Sequence, residues 1–97
     1  MTKLAIIATI EAVPGKRDQV IPPLKEHGAR CLKDESGTLQ FEIMVPRDDA
    51  TKIYLHEVYR DDAAFETHRT AASISRFRQE TAGMIAKIEV TKITPVE

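Results

Sequence analysis

Tryptophan and asparagine are absent from this 97-residue chain, and cysteine occurs once, at Cys31. A lone thiol rules out an intrachain disulfide, and no second thiol or histidine is expected at metal-ligand spacing from it, so a structural zinc is not expected. A reducing compartment fits that usage. Charge of one sign is missing as well: 14 basic residues stand against 15 acidic ones, for a net charge of -1. That balance gives none of the positive field a phosphate-backbone binder requires, which argues against a nucleic-acid partner. No run approaches the ~20 consecutive apolar residues of a membrane span. Met1-Thr2-Lys3 leads into a short apolar stretch without a cleavage-site pattern, so a cytoplasmic protein with no targeting segment is expected.

What remains is a chain with 42% hydrophobic residues, enough for one core but poor at covering all of its own apolar surface. A single domain over residues 1–97 and self-association are therefore expected. Residues 3–12 read as a β-branched strand closed by the turn signal Pro14-Gly15. A helical stretch follows to about Lys33, with Val20, Leu24, Gly28 and Cys31 on one stripe. Pro22-Pro23 disturb it, since adjacent prolines are comfortable only in a first turn; the helix either starts effectively there or kinks. Residues 38–46 alternate, with Leu39, Phe41, Ile43 and Val45 opposed to Gln40, Glu42 and Met44, as in a half-buried strand. A loop over 46–50 leads to a third strand, Lys52 to Tyr59, after which Asp61 or Asp62 can cap a short helix ending at His68. A second helical piece begins near Thr70 to Ser73 and carries Ile74, Phe77, Thr81 and Met84 on one stripe; Lys87 to Thr94 is a last strand.

The order β-α-β-β-α-β, with the second helical region broken in two, defines an α+β class: a ferredoxin-like antiparallel sheet with helices on one face. The opposite face is left bare, and Ala5, Ile7, Met44, Tyr54 and Val58 would make it substantially apolar. Such a face marks an interaction surface, and pairing of two copies about a twofold axis, as a homodimer through the sheet face, would cover it.

The most informative residue is Glu57. Side chains alternate along a strand, so Ile53, Leu55, Glu57 and Tyr59 share one face. Three of those four seek to leave water, and Glu57 goes with them. A buried unpaired carboxylate is costly, so it must find a donor, hold a proton or line a wet pocket.

The segment Glu57-Val58-Tyr59, then Asp61-Asp62-Ala63-Ala64 and then His68, resembles the antibiotic-biosynthesis-monooxygenase-like domains. Pro14-Gly15-Lys16 and Glu35-Ser36-Gly37-Thr38-Leu39 are similar to that family's pattern too, so the likeness runs over nearly the whole chain. The resemblance implies a dimeric α+β barrel and activities that include cofactor-free quinol monooxygenation and isomerisation of a phosphorylated autoinducer. Haem-degrading relatives rely on a tryptophan and an asparagine that this chain lacks. Where many relatives carry a Pro-His pair after the helix, this sequence reads Thr70-Ala71-Ala72-Ser73.

On that resemblance, a cavity between sheet and helices would present Glu57 and Tyr59 from the strand and His68, Phe65, Phe77 and Met84 from the helices. An apolar lining with a few convergent polar groups suits a small molecule. A cofactor-independent oxygenation needs a substrate that supplies its own electrons, such as a quinol or another electron-rich aromatic, together with O2, a base and an orienting pocket. Imidazole is the natural proton acceptor near neutrality. His68 is then the expected base, Glu57 its orienter, and Tyr59 a hydrogen-bond donor to the developing oxyanion; Phe65, Phe77 and Met84 are the expected substrate contacts, with no metal and no cofactor. The same groups could move a proton next to a carbonyl, which is the isomerase alternative, or serve a non-catalytic ligand-binding dimer.

Each residue also has a plainer reading. Glu57 could be an internal ion pair or a bond to a helix N-terminus, and His68 a packed helix-end histidine favoured by the dipole. Phe65, Phe77 and Met84 are core residues first. His27 is expected only to pack, Cys31 to act as a small hydrophobe, His56 to face the dimer interface, and Arg76 and Arg78 to be solvated unless one meets an anionic substrate. The element order also occurs in RNA-recognition domains, but a third strand offering one aromatic and a carboxylate does not suit base stacking.

Overall fold

The computed structural model describes residues 2–96. The elements run β1 (Leu4–Ala12), α1 (Arg17–Asp34), β2 (Thr38–Met44), β3 (Lys52–Tyr59), α2 (Asp62–Arg69), α3 (Ala72–Glu80) and β4 (Ile85–Ile93). They form one antiparallel sheet in the order β2-β3-β1-β4, the ferredoxin-like arrangement that the element order implies. Apolar alternation sets the faces. Ile53, Leu55, Glu57 and Tyr59 of β3 are buried while the residues between them are half-exposed. Ile6, Ala8 and Ile10 of β1 pair with Glu57, Leu55 and Ile53 and turn the same way. Against this face lie Val20, Leu24, Phe65 and Phe77 from the three helices, closing the core.

Helix α1 begins at Arg17 and runs through Pro22 and Pro23, so the late start that the prolines suggested does not occur. Each proline removes a donor to the carbonyl four residues back. Those carbonyls belong to Asp18 and Gln19 in the exposed first turn, where water can satisfy them. Strand β2 also departs from simple alternation. Its register with β3 shifts between Thr38 and Gln40, and a bulge of this kind displaces one residue from the pleat. Thr38 is therefore buried and Leu39, expected inside, is 45% exposed; Val45 lies beyond the strand and is exposed as well.

Two close approaches fix the helices around the future site. A Cβ at Gly28 would stand 2.5 Å from Cδ1 of Phe41, so only glycine lets α1 settle this deeply onto β2. At Gly37 an added Cβ would collide with Ala64, which brings the start of β2 directly against α2. Asp61 caps α2 by accepting the Ala64 N–H at 2.8 Å, a contact worth about 1 kcal/mol. The turn before β4 uses Gly83 at φ 78°, a left-handed conformation that glycine adopts freely.

Strand β4 is an edge strand whose inner face is bare. Ile88 and Val90 lie opposite Ile10 and Ala8, yet are 51% and 53% exposed. On the far face of the sheet Ile7, Met44 and Ile93 are exposed and Tyr54 and Val58 half-exposed. Ala5, expected to add to that patch, is buried instead, because its short side chain sits between its register partners Val58 and Ile93.

Candidate functional site

A cavity of about 530 Å³ opens between the inner sheet face and the helices, within the size range of small-molecule sites. Its floor is Ile6, Ala8, Ile10 and Leu55; Leu24, Phe41, Phe65 and Phe77 wall it; Ile88 and Val90 flank the open side. The buried polar residues lining it are His27, Glu57, His68 and Thr81. Arg69 and Arg78 stand at its edge.

The strand places Glu57 and the end of α2 places His68. Both residues are 5% exposed. Nε2 of His68 lies 3.7 Å from Oε1 of Glu57, too far for a direct hydrogen bond but close enough for mutual electrostatic influence. Tyr59, two residues along the same face, donates its hydroxyl to Oε1 of Glu57. Burial pushes the Glu57 carboxyl above its ordinary value, and the Tyr59 bond and the His68 charge only partly offset this. Burial likewise pushes the Tyr59 hydroxyl far up, reinforced by the adjacent Glu57 charge, so Tyr59 remains a proton donor.

The direct partner of His68 is Glu35, which the sequence reading left out of the site. Nδ1 of His68 meets Oε1 of Glu35 at 2.9 Å. Glu35 follows the last turn of α1 as its C-cap, and its carboxylate also accepts hydrogen bonds from Thr38 Oγ1 at 2.8 Å and Ser73 Oγ at 3.4 Å. Burial pushes the Glu35 carboxyl up, but the bonds from Thr38 and His68 outweigh it and hold it below the ordinary carboxylate range. An ionised Glu35 only accepts, so Nδ1 of His68 carries the hydrogen, and in the neutral ring the lone pair is on Nε2. The signal for this contact was present as Glu35-Ser36-Gly37-Thr38, but no local periodicity joins it to His68, 33 residues away.

His68 is enclosed by rings: the centroids of Tyr59, His27 and Phe65 lie 5.2, 5.6 and 6.3 Å from its own. His27 does more than pack between Phe41 and Phe77, since it lines the cavity. Burial, helped by the nearby His68 and Arg30 charges, lowers its imidazole to about 4. One helical turn on, Cys31 is buried, and burial with the Glu35 charge pushes its thiol up to about 12. His27, Cys31 and His68 bring one donor atom each within 4.8 Å of one another. The expectation that no histidine stands at ligand spacing from the thiol is thereby corrected: His27 and Cys31 are four residues apart on a helix and meet on one face.

Of the six residues expected in the site, the fold brings Glu57, His68, Phe65 and Phe77 to the cavity wall. Tyr59 is fully buried behind Glu57 and reaches the cavity only through that carboxylate. Met84 is half-buried against the core and is not part of the lining; it lies in the turn leading to β4, beyond the helix whose stripe it was expected to extend. His56 sits on the opposite sheet face, as alternation requires, and pairs with Glu42 at 3.0 Å.

A ferredoxin-like sheet with a helix-covered apolar cavity and a buried histidine–carboxylate group defines the class of protein. The family model described as antibiotic biosynthesis monooxygenase matches residues 4–80, and the chain belongs to that family. Among solved structures, PA3566 from Pseudomonas aeruginosa is 29% identical with a TM-score of 0.89, the match covering 100% of this chain and 97% of that one. A candidate antibiotic biosynthesis monooxygenase from Caulobacter crescentus superposes with a TM-score of 0.92 at 14% identity over 99% of this chain and 92% of its own. One from Chloroflexus aurantiacus gives a TM-score of 0.85 at 22% identity, covering 99% and 95%. The last two likenesses establish the fold alone. No curated protein matches the chain.

Proposed function

We propose that this chain is a cofactor-independent monooxygenase acting on a quinol or another electron-rich aromatic small molecule, with His68 as the base. The observation that carries the reading is the fixed imidazole: Glu35 holds Nδ1, leaving Nε2 as acceptor in a ring that lines an apolar cavity of aromatic size. A phenolic hydroxyl bound there gives its proton to Nε2. The resulting phenolate is electron-rich enough to reduce O2. In the overall reaction the substrate loses two hydrogens and gains one oxygen atom, and the second oxygen leaves as water, so every electron comes from the substrate. Glu35 stabilises the imidazolium; Glu57, whose carboxyl burial pushes above its ordinary value and which accepts the Tyr59 hydroxyl, supplies a polar wall that orients the hydroxyl. The apolar lining lowers the local dielectric and strengthens these interactions. Phe65 and Phe77 give the aromatic ring its contact surface. The exposed far sheet face supports a homodimer, with a second copy covering Ile7, Met44 and Tyr54.

Oxygen uptake measured with a panel of hydroquinones and naphthols tests the reading. Turnover that falls sharply in His68→Ala is expected; equal rates in the variant and the parent would sink the assigned role.

One observation favours a second reading, the isomerisation of a small phosphorylated carbonyl compound. Arg69 and Arg78 stand at the cavity edge, where guanidinium groups can hold a phosphate. Exchange of solvent deuterium into a phosphorylated ketose, lost in Arg78→Ala, is the expected signature, and no exchange with any phosphorylated carbonyl compound would exclude it.

A further inference from the structure

We infer that His27, Cys31 and His68 form a binding site for a thiophilic divalent cation of the Zn²⁺ class, with the fourth coordination position open to the cavity. The three donors come from two elements that the fold independently presses together. Helix α1 presents His27 and Cys31 one turn apart, and α2 brings His68 across to them; all three residues are buried. Sγ of Cys31 lies 3.6 Å from Nε2 of His27. Bonds of about 2.3 Å to sulfur and about 2.0 Å to nitrogen at a tetrahedral angle subtend about 3.6 Å, so this edge already has the length a bound zinc requires. The donor atoms as a set all lie within 4.8 Å of one another.

Two further features point to a cation. His68 gives its Nδ1–H to Glu35, and a ligating histidine ordinarily makes such a bond to a carboxylate, which fixes its tautomer and raises its basicity. Glu57, which is buried, and Glu35, which is partly buried, moreover have as ion-pair partner among the described residues the single His68 ring, with no lysine or arginine pairing to either. Buried carboxylates are normally paired or serve a metal. With one thiolate and two neutral imidazoles as ligands, a divalent cation leaves a net positive centre that the neighbouring carboxylates offset. His27 and His68 both line the cavity, so the open position faces the space where a small molecule binds.

Metal and substrate proton would then compete for His68, a consequence that rests on the proposed oxygenase reading, whereas the binding itself does not. The test is therefore spectroscopic. Co²⁺ is titrated into the reduced full-length chain and followed by absorption, then displaced with Zn²⁺. One Co²⁺ per chain is expected, with a thiolate-to-cobalt charge-transfer band, intense tetrahedral d–d bands and loss of both on adding Zn²⁺. Cys31→Ser should abolish the charge-transfer band, and His27→Gln should weaken binding at least about tenfold. Absence of a thiolate band in the parent protein would overturn the site whatever the variants do, and so would affinities unchanged in both substitutions. Failure of oxygen uptake leaves a positive cobalt spectrum standing, so the two readings fail separately.

Discussion

Glu35 and His68 meet through a 2.9 Å hydrogen bond between a helix C-cap and the end of a second helix. Thr38 and Ser73 fix the carboxylate from two further elements, so β2, α1, α2 and α3 all converge on the orientation of one imidazole. The ring then has one engaged nitrogen and one free one, the condition a general base needs.

Removing that support should separate positioning from chemistry. His68→Ala is expected to forfeit about 10²–10⁴ in kcat, the span of a lost general base. Glu35→Ala keeps the base but frees the ring, and should cost about 10–100-fold within that ceiling, with KM little changed because Glu35 is not among the cavity-lining residues. Steady-state oxygen uptake gives both constants. A Glu35→Ala variant that raised KM and left kcat intact would remove the positioning role.

Tyr59→Phe deletes the one hydroxyl that donates to Glu57 and leaves a buried carboxylate short of a partner. A loss of about 1–3 kcal/mol is expected. Its pH dependence carries the sign. Burial holds the Glu57 carboxyl above its unfolded value, so the folded state favours the protonated form, and stability falls as pH rises from the unfolded value through the folded one. The Tyr59→Phe deficit should therefore be larger on the alkaline side, and adding Glu57→Gln should flatten it. Urea unfolding of the two variants across the pH range is the measurement, and a deficit independent of pH would show that Glu57 does not ionise in that window.

His27 has the opposite linkage. Its imidazole is lowered from 6.5 to about 4, chiefly by burial, so the unfolded chain takes up the proton first. Stability from this residue is complete above pH 6.5 and is lost as pH falls towards about 4. The loss is up to about 2 kcal/mol once screening from the open cavity is allowed for. His27→Gln should make the acid limb of a stability–pH curve shallower; an unchanged limb would assign the acid sensitivity to other groups.

Gly28→Ala tests the packing that brings α1 to the site. The added Cβ must displace Phe41, whose Cδ1 it would meet at 2.5 Å, and overpacking of this kind costs about 1–3 kcal/mol. Phe41 is also a cavity wall, so ligand affinity should fall with stability, and Phe41→Leu in the same chain should recover part of the stability. Calorimetric melting of single and double variants decides it; a neutral Gly28→Ala would mean that Phe41 has room to move.

The fold was largely legible because its signals are local. Alternation delimited β3 as Lys52–Tyr59 and singled out Glu57, and the turn and cap residues separated α2 from α3. Misreadings arose where one element's behaviour is decided by another. Leu39 left the core because the β2–β3 register shifts, and α1 tolerated its prolines because the affected carbonyls face water. The site was half legible on the same grounds. Glu57 announced itself by breaking a pattern, whereas Glu35 lies at a helix end where no pattern exists to break. His27, Cys31 and Glu35 do share a spacing of four residues, but the apolar stripe beside them, through Leu24 and Gly28, is the stronger periodic signal.

Glu35 also stands where a carboxylate opposes its own helix. The carbonyls ending α1 make that end negative, and an acidic group there is disfavoured by a few tenths of a kcal/mol up to about 1 kcal/mol, whereas the basic Lys33 in the last turn suits it. Local helix stability and the hold on His68 thus pull this position in opposite directions. Because the bonds from Thr38 and His68 outweigh the cost of burying this carboxylate, a substitution at position 35 made to relieve the helix end gives up the hold on His68 with it.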